Sequence, residues 1–153
     1  MTKRIYFQTE ETKTVKKKGY IEIDDSYTQV YDCLAKLSFK MKSISESQIL
    51  FFFFTKATEN GVILTDERIF KEYLAFSKAN GGVEISRVTF TTAIKNLTDA
   101  QILVKLSRGQ YQLNPFILWK SSKDDRIDNI ESIMKITDKS EQSKYLIPNK
   151  LLK

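Results

Sequence analysis

Histidine is missing from this chain altogether, and cysteine occurs once, as Cys33. Without histidine, Ser-His-Asp and Cys-His nucleophile systems cannot be built in their usual form. His-ligated metal sites are excluded as well, and one thiol is too few for a thiolate zinc site. A lone cysteine forms no internal disulfide, which fits a reducing cytoplasm as the expected location. With Val30, Tyr31 and Leu34 beside it, Cys33 reads as a small core residue. Neither a G-x-x-x-x-G-K-[ST] loop nor a G-x-G-x-x-G turn occurs, so no nucleotide cradle is expected. The longest strictly apolar run, Ile49–Phe54, is far short of a membrane span. Polar residues follow Met1-Thr2-Lys3-Arg4, so no signal peptide is expected. Carboxylate-only metal chemistry has Asp24-Asp25 and Asp124-Asp125 to draw on, but acidic pairs beside turns usually act as solvated caps. The expectation is therefore a protein with no metal, no cofactor and no catalytic centre.

What is present is a chain of 153 residues, 41% hydrophobic and 12% aromatic, enough for one folded domain with appendages. Its net charge is +6, unevenly spread. Residues 1–20 carry six basic and two acidic side chains, and residues 83–120 carry five and two. Such an excess attracts phosphate or an acidic membrane surface. No basic amphipathic helix with an apolar aromatic face stands out, which favours phosphate and argues against a membrane partner.

Along the chain, residues 4–9 and 14–23 read as two strands, with Gly19 at a bulge or bend. Lys16, Lys17 and Lys18 lie in the second, either as the lysines of a solvated edge strand or as an arm contacting phosphate. Tyr27–Met41 has a helical stripe of Val30, Tyr31, Leu34, Leu37 and Met41. "SESQ" then reads as a capping box with Ser45 as the cap and Gln48 reaching back, and Ile44 and Ile49 fit a hydrophobic staple. The apolar run that follows covers nearly every face, as in a central core helix ending at Asn60-Gly61. Val62–Leu64 is a short strand candidate. Thr65 is placed to cap a helix over Asp66–Lys78, and Ser86 a helix to about Thr98. Gln101–Leu106 and Gln110–Leu113 pair as a hairpin across "SRG", and Asn114-Pro115 ends it. Beyond residue 120, Ile127, Ile130 and Met134 mark an amphipathic helix.

This order of elements, helix, strand, helix, helix, strand, basic turn, strand, is that of a winged helix-turn-helix. Stepping residues 86–98 at about 100° each puts Phe90, Ala93, Ile94 and Leu97 inward. Val88, Thr91, Thr92, Lys95 and Asn96 project outward, with Arg87 and Thr89 on the flanks of the helix start. Threonine and valine methyls suit the thymine methyl, Arg87 a guanine edge and Lys95 a phosphate. Paired threonines are a poor choice for an exposed helix without a task, because β-branching lowers helix propensity. In the wing, residues 102–113, Val104, Leu106, Tyr111 and Leu113 are expected inward, with Lys105, Arg108 and Gln110 outward or at the tip to meet the backbone or minor groove.

"VYDCLAKL" together with "TTAIKNLTDAQILVKLSRGQYQLNPFILWK" resembles the winged-helix plasmid replication proteins of the Firmicute RepL type, over residues 26–120. The likeness is sharpest at Gly109, Tyr111, Leu113, Asn114 and Pro115. It implies binding to a plasmid origin during replication initiation. The expected architecture is α+β and mostly helical: an N-terminal strand pair or basic arm (1–25), a winged-helix DNA-binding domain (26–120) and a helical C-terminal extension (121–153). The expected partner is double-stranded DNA, a plasmid origin or an operator; a second copy of the chain and host replication proteins are further candidates. Lacking the histidine pair of the usual rolling-circle nickases, the chain would open strands only through binding energy or recruited enzymes. A transcriptional repressor or copy-number regulator on the same fold is the nearest alternative. A winged helix used as a protein-interaction module would show no salt-sensitive affinity for duplex DNA. A carboxylate-metal nuclease or tyrosine-nucleophile enzyme would leave magnesium-dependent or covalent DNA products.

Overall fold

The four longest helices of this protein begin where a short polar side chain accepts a hydrogen bond from a backbone amide that the helix itself leaves unpaired. Ser43 accepts from Glu46 at the head of α2 (Ile44–Lys56), and Asp66 from Ile69 at α3 (Glu67–Ala79). Ser86 accepts from Thr89 at α4 (Arg87–Asp99), and Ser122 from Asp125 at α5 (Lys123–Met134). The short α1 (Cys33–Leu37) and α6 (Lys139–Ser143) complete the helices of a computed structural model that describes residues 2–10, 16–24 and 28–146.

Strands β1 (Thr2–Glu10) and β2 (Lys16–Asp24) pair antiparallel as their own sheet. The register runs unbroken from Thr2 opposite Asp24 to Glu10 opposite Lys16, with Gly19 facing Phe7 where a bulge was expected. β3 (Gln29–Val30) pairs with β7 (Leu118–Trp119). β4 (Val62–Leu64), β5 (Leu103–Ser107) and β6 (Gln110–Leu113) form a three-stranded sheet in the order β4-β6-β5. The order α2, β4, α3, α4, β5, β6 with that sheet is consistent with a winged helix, in a mixed and mostly helical α+β fold.

Several local expectations are corrected. The helix read over Tyr27–Met41 shrinks to five residues, followed by a single 3-10 turn at Ser38–Lys40. The residues before it are taken by a long-range ladder: Gln29 faces Trp119, and the Tyr31 amide donates to the carbonyl of Ile117 at 2.9 Å. Helix α2 starts two residues early, because Ser43 with Glu46 outcompetes Ser45 with Gln48. The Glu46 carboxylate accepts from the Lys42 amide (3.0 Å) and the Ser43 hydroxyl (2.8 Å), and a negative charge suits the positive end of the helix dipole. Ile44, at 78% exposure, forms no staple. The same helix ends at Lys56, so Asn60-Gly61 belongs to the turn entering β4; Gly61 adopts φ +73°, a conformation glycine takes without penalty. Nor is α2 buried all round: Ile49, Leu50, Phe52 and Phe53 are inside, but Phe51 is 58% exposed. Finally, Asp66 caps α3 in place of Thr65, which is occupied elsewhere.

The core centres on Phe90 of α4, whose ring lies 5.1 Å from Phe70, 5.7 Å from Tyr73 and 6.1 Å from Phe53 between centroids. Edge-on and tilted rings at these separations add to the apolar burial. A second cluster joins Val104 of β5 to Ile133 and Tyr145. Arg126 and Ile133 of α5 pack on the fold, while of the amphipathic set Ile127 and Met134 are exposed and Ile130 is half-buried. Arg126 stacks 3.5 Å from the Tyr31 ring and donates to the carbonyls of Pro115 and Phe116.

Candidate nucleic-acid interface

Helix α4 divides as its spacing predicts. Phe90, Ala93, Ile94 and Leu97 are buried, while Val88, Thr89, Thr91, Thr92 and Lys95 are exposed and Asn96 is half-buried. Val88 presents its methyls to solvent at 74% exposure. Thr91 donates its hydroxyl to the Arg87 carbonyl at 3.0 Å, and the Thr89 hydroxyl lies 3.0 Å from that of Ser86. Such back-bonding fixes the threonine rotamers and leaves oxygen lone pairs outward. Thr92 makes no side-chain hydrogen bond among the described residues. Lys95 pairs with Asp99 at 3.1 Å, an exposed i,i+4 pair that a phosphate could displace at little cost.

Arg87, on the flank of the helix start as expected, is engaged by the protein itself. Its guanidinium lies 5.2 Å from the Phe70 ring and 5.4 Å from the Phe90 ring. It donates to the carbonyls of Thr65 (3.1 Å) and Asp66 (3.5 Å), with Glu67 3.9 Å away. Arg87 thus binds the start of α4 to the start of α3.

In the wing, Lys105 and Arg108 are exposed, and neither forms an ion pair among the described residues. Gln110 is half-buried and accepts from the Ser107 hydroxyl at 3.0 Å, bracing the turn. Gly109 adopts φ +72° with open space where a side chain would stand, so its backbone conformation alone accounts for the glycine. The Gly109 carbonyl accepts twice from Thr65, from its amide at 2.9 Å and its hydroxyl at 3.3 Å. Leu106, expected inward, is 42% exposed, because a register shift between Lys105 and Ser107 breaks the alternation of faces. A groove of about 490 Å³ runs beside β5, lined by Thr98, Lys105, Leu106, Arg108 and Lys144 among others. Lys144, ion-paired with Glu141 at 2.6 Å, also lines this side, and at 36 residues from Arg108 it carries no local sequence signal.

Lys16, Lys17 and Lys18 open β2, but their side chains lie outside the described residues. Thr65 was read as a helix cap and Asn114 as a strand terminator, yet both also make long-range hydrogen bonds. Asn114 is fully buried and donates to the carbonyls of Gln101 (2.8 Å) and Tyr145 (2.9 Å). Among the described residues, no helix is long and apolar enough to cross a membrane.

A family model described as Firmicute plasmid replication protein (RepL) matches residues 3–145. No curated protein and no solved structure matches the chain.

Proposed function

Since that match takes in nearly the whole chain, the protein belongs to the Firmicute plasmid replication protein (RepL) family, and we propose that it binds the double-stranded DNA of a plasmid origin through α4 and the β5–β6 wing. The observation that carries this reading is the outward face of α4, Val88, Thr89, Thr91, Thr92, Lys95 and the half-buried Asn96, standing on the same fold as Lys105 and Arg108, which form no ion pair among the described residues. The α4 face offers methyls and hydroxyls, the groups that touch thymine methyls and base edges in a major groove. Lys105 and Arg108 offer charge without sequence information, as phosphate contacts do. Recognition thus falls to α4, and adhesion to the wing.

The test is a titration of origin duplex and of a scrambled duplex at two salt concentrations. Three phosphate contacts at Lys95, Lys105 and Arg108 give a slope of log K against log salt of about −2.7. Thr91→Ala with Thr92→Ala should bring the two duplexes closer in affinity, while Arg108→Ala should weaken both about equally and flatten the slope by about one. Affinity that ignores salt would refute the reading. Protection confined to a promoter, with none at the origin, would make the protein a regulator of transcription in place of an initiator.

A further inference from the structure

We propose that Thr65 is a positioning residue that locks the wing to the recognition helix, so that both meet one duplex in a fixed relation; the inference rests on the DNA-binding reading above. Its backbone and side chain serve two partners that lie far apart in sequence. The amide and hydroxyl of Thr65 both donate to the Gly109 carbonyl at the wing tip, at 2.9 and 3.3 Å. Its own carbonyl accepts from Arg87 at the first residue of α4, at 3.1 Å. One residue therefore carries the wing tip on one side and the recognition helix on the other.

Thr65 is itself held in place. It lies between the last residue of β4, Leu64, which faces Gln110 in the ladder, and Asp66, which caps α3. It is buried, so its hydrogen bonds are shielded from water. Arg87 is fixed by its stack over Phe70 and Phe90 and by its second bond to the Asp66 carbonyl. A helix and a hairpin that bind the same duplex gain from being held at the right separation, because the second contact then forms without a further loss of freedom. Breaking the link leaves each contact intact but lets one form without the other.

The experiment measures coupling. Arg108→Ala is made in the parent, in Thr65→Val, which keeps the shape and removes the hydroxyl, and in Arg87→Met, which keeps an apolar contact and removes the donors. Binding of the full chain to origin duplex is measured alongside thermal melting. In the parent, loss of Arg108 should weaken binding about tenfold; in Arg87→Met it should weaken it less than about threefold, and in Thr65→Val, where the amide bond to the Gly109 carbonyl survives, by an intermediate factor. Thr65→Ser, which retains the hydroxyl, should restore the parent value. An Arg108 effect equal in all backgrounds overturns the proposal, and if Arg87→Met then also changes sequence preference, Arg87 reads bases directly. A lowered melting temperature with an unchanged Arg108 effect also overturns it, since Thr65 would then act on stability alone. Failure of the parent to bind any duplex overturns the DNA-binding reading itself and removes the task assigned to the link.

Discussion

Cys33 lies against the carbonyl of Phe116, with its sulfur 3.6 Å from that oxygen, and burial pushes its thiol above the ordinary value of 9.0. A group whose folded value is raised stabilises the fold fully below its unfolded value and loses that contribution as pH rises through the folded one. Thiol reagents at pH 8 should therefore leave Cys33 unmodified in the native protein and modify it fully in denaturant; rapid native-state labelling would contradict its burial. The inert character of Cys33 was legible in its apolar neighbours. The contacts of Arg87 and Asn114 were not. Spacing places Arg87 correctly at the start of α4 but says nothing of the Thr65 and Asp66 carbonyls, which lie 22 and 21 residues away. Asn114 stands where the hairpin stops, as its following proline implies. Its amide bonds to Gln101 and Tyr145 depend on a chain reversal that no local pattern encodes.

At the scale of elements, α4 was readable because its cap and apolar stripe agree, and both signals are local; α3 was readable too, although its cap is Asp66 and not Thr65. Helix α2 offered two competing caps, and a carboxylate at the third position decided between them. Ser43→Ala should cost about 1 kcal/mol in a denaturant titration, while Ser45→Ala should leave the midpoint nearly unchanged; the opposite order would return the cap to Ser45. The first helix was over-read because its stripe resembles the real one until Gln29 and Val30 are claimed by Trp119 and Leu118. The wing was misread for a similar reason. Alternation assumes one wet face, but Leu103 and Val104 are both buried, since Ile133 and Tyr145 cover the side of the sheet opposite the main core. Gln112 is buried with them, donating to the Asn60 carbonyl at 3.0 Å.

At the scale of the whole molecule, the segment after Lys120 is built into the fold as far as Leu146. Trp119 donates its indole N–H to the Ser122 carbonyl at 2.9 Å, and Gln101 donates to the carbonyls of Ser143 and Leu146 at 3.0 and 2.7 Å. Its amphipathic pattern was legible as a helix, but the face that packs was not, because Ile133 is chosen by the position of Val104. We propose that residues 26–120 do not stand alone. Removing Ile133 and Tyr145 and uncovering Val104 forfeits roughly 1.5–3 kcal/mol for each large side chain, against a total stability on the order of 5–15 kcal/mol for a domain. A chain cut after Lys120 should melt early or without cooperativity by calorimetry; a sharp transition at the full-length temperature would show the extension to be dispensable. The strand order β4-β6-β5 carries a further consequence, one of time. Strand β6 is flanked on both edges, and its neighbour β5 is roofed by the extension, so its amides should exchange with deuterium only when the molecule as a whole opens. On the DNA-binding reading proposed above, the wing would then meet a duplex already formed, and the encounter would proceed at the pace of diffusion and charge.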